Sequence, residues 1–230
     1  MLGRLFKVSK EEFVEAAKNG DVKTVAKGLK QQPPVDFNVP DANNRLALHL
    51  AICYKHEAVV SMLLSNQDPP AEVDIRDVSG QTPLHSAVIV NAGETIILQL
   101  LNARADINAT TKDKSANTVL HLVAMYTGQL IGSTYETERD AIATASFLMD
   151  HGAQSCLSVK GFRHRTAGGY TPAEAAVADR NKQLARFFRS RERAAAKERK
   201  AARAPDGRSQ SRERERRRVT TAEFLVAAEQ

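Results

Sequence analysis

The chain has 230 residues, of which 33 are Lys or Arg and 27 are Asp or Glu, giving a formal net charge of +6. That length suits one repeat domain with an appendage, and the absence of any run of about 18 apolar residues excludes a membrane-spanning helix. Two cysteines, Cys53 and Cys156, argue against a disulfide framework and for a reducing cytosol or nucleus, or delivery into another cell's cytosol.

The start, Met1-Leu2-Gly3-Arg4-Leu5-Phe6-Lys7, lacks the apolar core of a signal peptide, and Gly3 is misplaced for myristoylation. Ser9-x-x-Glu12 has capping-box spacing and opens an amphipathic segment carrying Phe13, Ala16 and Ala17. The clearest unit lies further on. Asp77-Val78-Ser79-Gly80 signals a turn. Thr82 is placed to cap a helix, with Pro83 at its first position. Leu84, Ala87 and Val88 give that helix an apolar face. Asn91-Ala92-Gly93 breaks it, and a second amphipathic helix is predicted over Glu94 to Asn102.

The pattern repeats. Leu46-Ala47-Leu48-His49, Thr82-Pro83-Leu84-His85 and Thr118-Val119-Leu120-His121 place their histidines 36 residues apart. A fixed period in this range marks stacked helical units. Leu46-Ala47 lacks the Thr-Pro cap, which predicts a weaker helix start. Thr171-x-x-Glu174 restarts the pattern as a capping box. A stretch from Thr127 to Asp140, with Leu130, Ile131 and Tyr135, separates the two helices of the fourth unit. It is either a longer surface loop or, as the Gly128–Asp140 insertion, an apolar grip for a partner. Gln154 to Gly168, with Lys160, Arg163, His164 and Arg165, is a second irregular stretch, read as a solvated loop or a contact for an acidic partner.

The unit resembles the ankyrin repeat, whose signature T-P-L-H-x-A is matched in full by Thr82-Pro83-Leu84-His85-Ser86-Ala87. Asp41, Leu48, His49, Ala51 and His56 match in the unit before; Asp113, Thr118, Leu120 and His121 match in the unit after. The resemblance implies an all-α ankyrin-repeat solenoid of about five helix-turn-helix units over residues 9–190, with a basic, partly helical, partly disordered C-terminal extension over residues 191–230. Gly20 and Val25 suit a first unit, and Ala173 and Glu174 suit a polar terminal one. The signature histidines would bond backbone between neighbouring units.

The family implies an adaptor that binds a partner protein through its concave face and hairpin tips. By register, the contacts are Asn43, Arg45, Cys53 and Tyr54, then Ser79, Gln81, Ile89 and Val90, then Lys114, Asn117, Met125 and Tyr126. Tyr54, Ile89/Val90 and Met125/Tyr126 form an apolar row of the composition enriched at interfaces. The residues allow another reading, that the row packs on neighbouring units. A monomer in the cytoplasm is expected, with the nucleus or a host cytosol as alternatives.

No phosphate-binding glycine motif, H-E-x-x-H or paired C-x-x-C occurs, so no cofactor, metal or catalysis is expected. His49 and Cys53, four apart, are too few to hold a metal. Ser86 and His85 point apart on a helix and form no nucleophile–base pair.

Charge gathers at the end. Residues 182–230 hold 15 Lys/Arg and 7 Asp/Glu, net +8, leaving residues 1–181 at −2. Leu184, Phe187 and Phe188 should pack on the last repeat, and Arg189 to Ala204 should continue as helix until Pro205-Asp206-Gly207. The tail reads as a solvated helix, a basic sorting segment or a nucleic-acid patch. The last, a nuclear or nucleic-acid-associated regulator, is the alternative function; interleaved Glu192, Glu198, Glu213 and Glu215 and the lack of stacking aromatics weigh against it. Thr220-x-x-Glu223 opens a segment resembling the first helix, which suggests a longer protein, a docking helix or a chance match.

Overall fold

The computed structural model describes residues 7–113, 116–125, 137–153, 156, 170–178 and 180–203. Ten helices and no strand occur among them: α1 Lys10–Asn19, α2 Val22–Lys30, α3 Ala47–Cys53, α4 Glu57–Ser65, α5 Pro83–Ile89, α6 Glu94–Asn102, α7 Val119–Met125, α8 Glu138–Asp150, α9 Pro172–Ala178 and α10 Lys182–Arg203. The chain divides into two units between Arg189 and Ser190.

Helix starts follow local chemistry. Ser9 Oγ accepts the Glu12 N–H at 3.1 Å, and Asp21 Oδ1 accepts the N–H groups of Lys23 and Thr24 at the head of α2. Each bond satisfies a donor that the first helical turn leaves open. Thr171 and Glu174 exchange reciprocal bonds, with Glu174 Oε2 accepting the Thr171 N–H at 2.8 Å. Thr137 and Asp140 do the same at the start of α8. That cap corrects the expected extent of the insertion: residues 138–140 belong to α8, because Thr137 supplies a helix start four residues earlier than Ala141. The remainder of the insertion, the irregular stretch before Tyr170 apart from Cys156, and the chain from Ala204 onward lie outside the described residues, as does the Thr220 capping box.

The short inner helices stack in a row, α1 on α3, α3 on α5, α5 on α7 and α7 on α9; behind them α2 packs on α4 and α4 on α6. One continuous apolar cluster runs through them, from Phe13 and Phe37 through Leu48, Leu84 and Leu120 to Leu184 and Phe188. Phe187 packs against it half-buried, as expected. Between α1 and α2 the chain reverses at Gly20, with φ at +74°. A Cβ there would meet the His56 ring at 2.6 Å, and that ring donates from Nε2 to the Lys18 carbonyl at 2.8 Å. Glycine is therefore required twice over, by backbone conformation and by the neighbouring unit.

Candidate partner-binding surface

Tight turns connect the units. Asp41 Oδ1 accepts the N–H groups of Asn43 and Arg45, each at 2.8 Å. Asp77 Oδ1 accepts those of Ser79 and Gln81, each at 2.9 Å. An aspartate that bonds its own turn in this way fixes the loop without help from elsewhere. These bonds hold Asp41 below the usual carboxylate range: burial raises its pKa, but the Arg45 and Asn43 bonds outweigh it. Positive φ falls in register at Asn44, Gly80 and Ala116.

Neighbouring turns are also joined. The Val78 N–H donates to the Asn43 carbonyl at 3.0 Å, and the Lys112 N–H to the Gly80 carbonyl at 3.1 Å. Arg76 bridges the Gly80 and Thr110 carbonyls. The result is a stiff ladder of backbone whose outward side chains are free to vary.

On this ladder the expected contact residues part company. Asn43 and Ser79 are exposed, as tip residues should be. Arg45 is half-buried and clamped to Asp41 at 2.9 Å, and Gln81 is half-buried. Asn117, expected at an exposed tip, is 5% exposed. Its N–H donates to Thr111 Oγ1 and its carbonyl accepts the Thr111 N–H at 2.8 Å, bonds that tie it to Thr111. Lys114 and Tyr126 lie outside the described residues. Of the apolar row, Tyr54 is 52% exposed, with its ring stacked on His56 at 6.3 Å. Ile89, Val90 and Met125 are half-buried, and Ile89 packs on the core. The row is thus one exposed aromatic followed by partly covered aliphatics. Val78, at 68% exposure the most open large apolar residue described, escaped the sequence reading. Its place just after the turn aspartate was the available signal.

Two of the three signature histidines, His85 and His121, join neighbouring units from within. The Thr82 N–H donates to His85 Nδ1 at 3.2 Å. A nitrogen that accepts carries no proton, so Nε2 bears it and donates to the Ala109 carbonyl of the next connection at 3.2 Å. Burial, and then the nearby Arg76, hold His85 neutral by lowering its pKa to about 4. His121 repeats the arrangement, with Nε2 donating to the Tyr170 carbonyl at 2.7 Å. His49 accepts the Leu46 N–H, but its buried Nε2 closes no bond of normal geometry; the Gln81 backbone acts on it without completing one. Burial raises the Cys53 thiol on the same helix, which keeps it protonated and unreactive. Among the described residues no three His, Cys, Asp or Glu side chains gather to hold a metal. No described helix is long and apolar enough to cross a membrane.

The family model of ankyrin repeats matches residues 13–111, in three copies. No curated protein matches the chain. Repeats of this family are general protein–protein interaction modules and typically non-enzymatic scaffolds. Stacked helix pairs, aspartate turns and inter-unit histidine bonds agree with that match, and residues 13–111 are ankyrin repeats.

Proposed function

We propose that the chain is an adaptor that captures one partner protein on its turn tips and the adjoining ends of α3, α5 and α7. The observation that carries this reading is the pairing of a fixed backbone with open side chains. Asn43, Val78 and Ser79 stand exposed on turns locked by Asp41 and Asp77 and by the inter-turn bonds. A surface rigid before binding loses little entropy on binding. Tyr54 adds an exposed aromatic with a polar tip, the kind of residue that dominates interface energies. Arg45, Gln81, Ile89, Val90 and Met125 would form the rim and floor; Lys114 and Tyr126 extend the register. Asn117 serves the fold of its turn instead.

The repeat body over residues 9–190 is the working part of this adaptor, with residues 191–230 as an appended tail, acting as a monomer in the cytoplasm. The test is affinity capture with the full chain, followed by mass spectrometry and by a double variant, Tyr54→Ser with Val78→Ser. The partner identified with the natural chain should bind the variant at least about tenfold more weakly. The melting temperature should hardly move, because neither side chain is buried. Undiminished capture would remove this surface from the reading.

A further inference from the structure

In the sequence of α10 the acids Glu192 and Glu198 are interleaved with arginines and lysines, but the helix sorts them. At about 100° per residue, Lys182, Arg186, Arg189, Arg193, Lys197 and Lys200 fall within an arc of about 80°, and no other position of α10 falls inside it. Every position of that arc is therefore a cation, and all six are exposed. Successive members stand three or four residues apart, which makes five like-charge neighbours in a row, an arrangement that opposes the helix. Glu192 and Glu198 lie outside that arc. Positions three and four away from Glu198 on either side are Ala194, Ala195, Ala201 and Ala202, and Glu192 has only Arg189 at that spacing. Neither the Lys18–Glu15 nor the Arg45–Asp41 ion pair involves any of the six. A helix built only to be solvated alternates opposite charges along a face; this face does the reverse.

We propose that this stripe is a docking surface for the phosphate backbone of double-stranded nucleic acid, bound without regard to sequence. The six cations span about 27 Å in steps of about 4.5–6 Å, a regular row of positive charge suited to a regular row of negative charge. A duplex presents about one charge per 1.7 Å of its axis, so each cation of the row finds a phosphate. The like-charge repulsion along α10 then becomes attraction to a common partner. An anionic membrane fits less well, because a surface-lying helix needs an apolar face to insert. Beyond Arg189 the rest of α10 is five alanines among Ser190, Arg191, Glu192, Glu198, Arg199 and Arg203, with no large apolar side chain. An acidic protein fits less well too, since protein interfaces are depleted in lysine and centred on apolar anchors. This inference stands apart from the proposed adaptor role.

The test is fluorescence anisotropy of the full chain with a random-sequence DNA duplex of about 20 base pairs, titrated across salt. Poly-glutamate and phosphatidylserine vesicles serve as parallel probes. The duplex should bind most tightly, with affinity falling by a log–log slope of at least about 5 for six phosphates neutralised. A charge-neutral rearrangement keeps composition fixed: Arg193→Ala with Ala194→Arg, Lys197→Ala with Ala201→Lys, and Lys200→Ala with Ala202→Lys. It should weaken duplex binding roughly tenfold or more and lower the slope by about 3, with helix content by circular dichroism unchanged. Equal binding by the rearranged chain would overturn the proposal in favour of net charge alone. Tighter binding of poly-glutamate or vesicles, or no duplex binding, would overturn it as well.

Discussion

Helices α3 and α5 occupy equivalent places in successive units, have the same length of seven residues and begin two residues before their histidines. Their starts are chemically different. Thr82 accepts the His85 N–H, and His85 in turn accepts the Thr82 N–H and donates to the Ala109 carbonyl. At the other start Leu46 has no side chain to cap with and is instead fully buried, while His49 makes the Leu46 bond and leaves Nε2 without one. The helix forms equally in both. In short helices packing outweighs local signals, and the cap and the inter-unit bond are increments added to it.

The largest effects should therefore ignore the difference between the two units. Leu48→Ala and Leu84→Ala both remove fully buried side chains, and each should cost about 2–5 kcal/mol by urea denaturation. Tyr54→Ala, on the exposed end of α3, should cost less than about 1 kcal/mol. A cheap Leu48→Ala beside a costly Leu84→Ala would break the comparison.

Acid should separate the units. His85 is held at about 4 against an ordinary 6.5, so between those values the unfolded chain takes up a proton that the folded chain refuses. The stability gained by keeping His85 neutral is fully present above about pH 6.5 and is lost as pH falls toward 4. The difference of about 2.5 units corresponds to about 3 kcal/mol. Denaturation at pH 7 and pH 4.5 should reveal most of this loss, and His85→Gln should flatten the dependence. A variant as acid-sensitive as the natural chain would move the effect to other groups, His49 first, since burial lowers its pKa too.

Caps should give a smaller and opposite pair of effects. Thr82→Ala removes the hydroxyl that accepts the His85 N–H and should cost about 1 kcal/mol. Leu46→Thr supplies the missing hydroxyl but gives up buried apolar area, so the two terms should nearly cancel. A clear gain in melting temperature would show that the cap matters more at α3 than Leu46 burial. Smallest of all, deleting residues 191–230 should leave the melting temperature of the repeat body nearly unchanged, because residues 191–202 contain no buried residue.

Much of the fold was legible because the code is local and periodic. Histidines 36 residues apart, a Thr-Pro cap and an aspartate turn each state their geometry within a few residues, and α6 runs from Glu94 to Asn102 as the pattern predicts. The start of α8 was legible too, in Thr137 and Asp140, but the residues before it carry no period to set a boundary. The candidate surface was less legible. Register places Arg45, Gln81 and Asn117 alike, yet Arg45 and Gln81 are half-buried while Asn117, bonded to Thr111, is buried.

The sequence by itself determined the repeat, the helix starts and the type of residue at each core position, since these depend on neighbours a few residues away. Only the tertiary structure decided which histidine finds a carbonyl, that Val78 stands open while Ile89 is partly covered, and that neighbouring turn tips are joined backbone to backbone. Those outcomes depend on where residues more than 20 positions apart come to rest, and periodicity carries no record of that distance. The charge sorting on α10 lies between the two. The residues were always readable, but it took one unbroken helix from Lys182 to Arg203 to turn their order into a face.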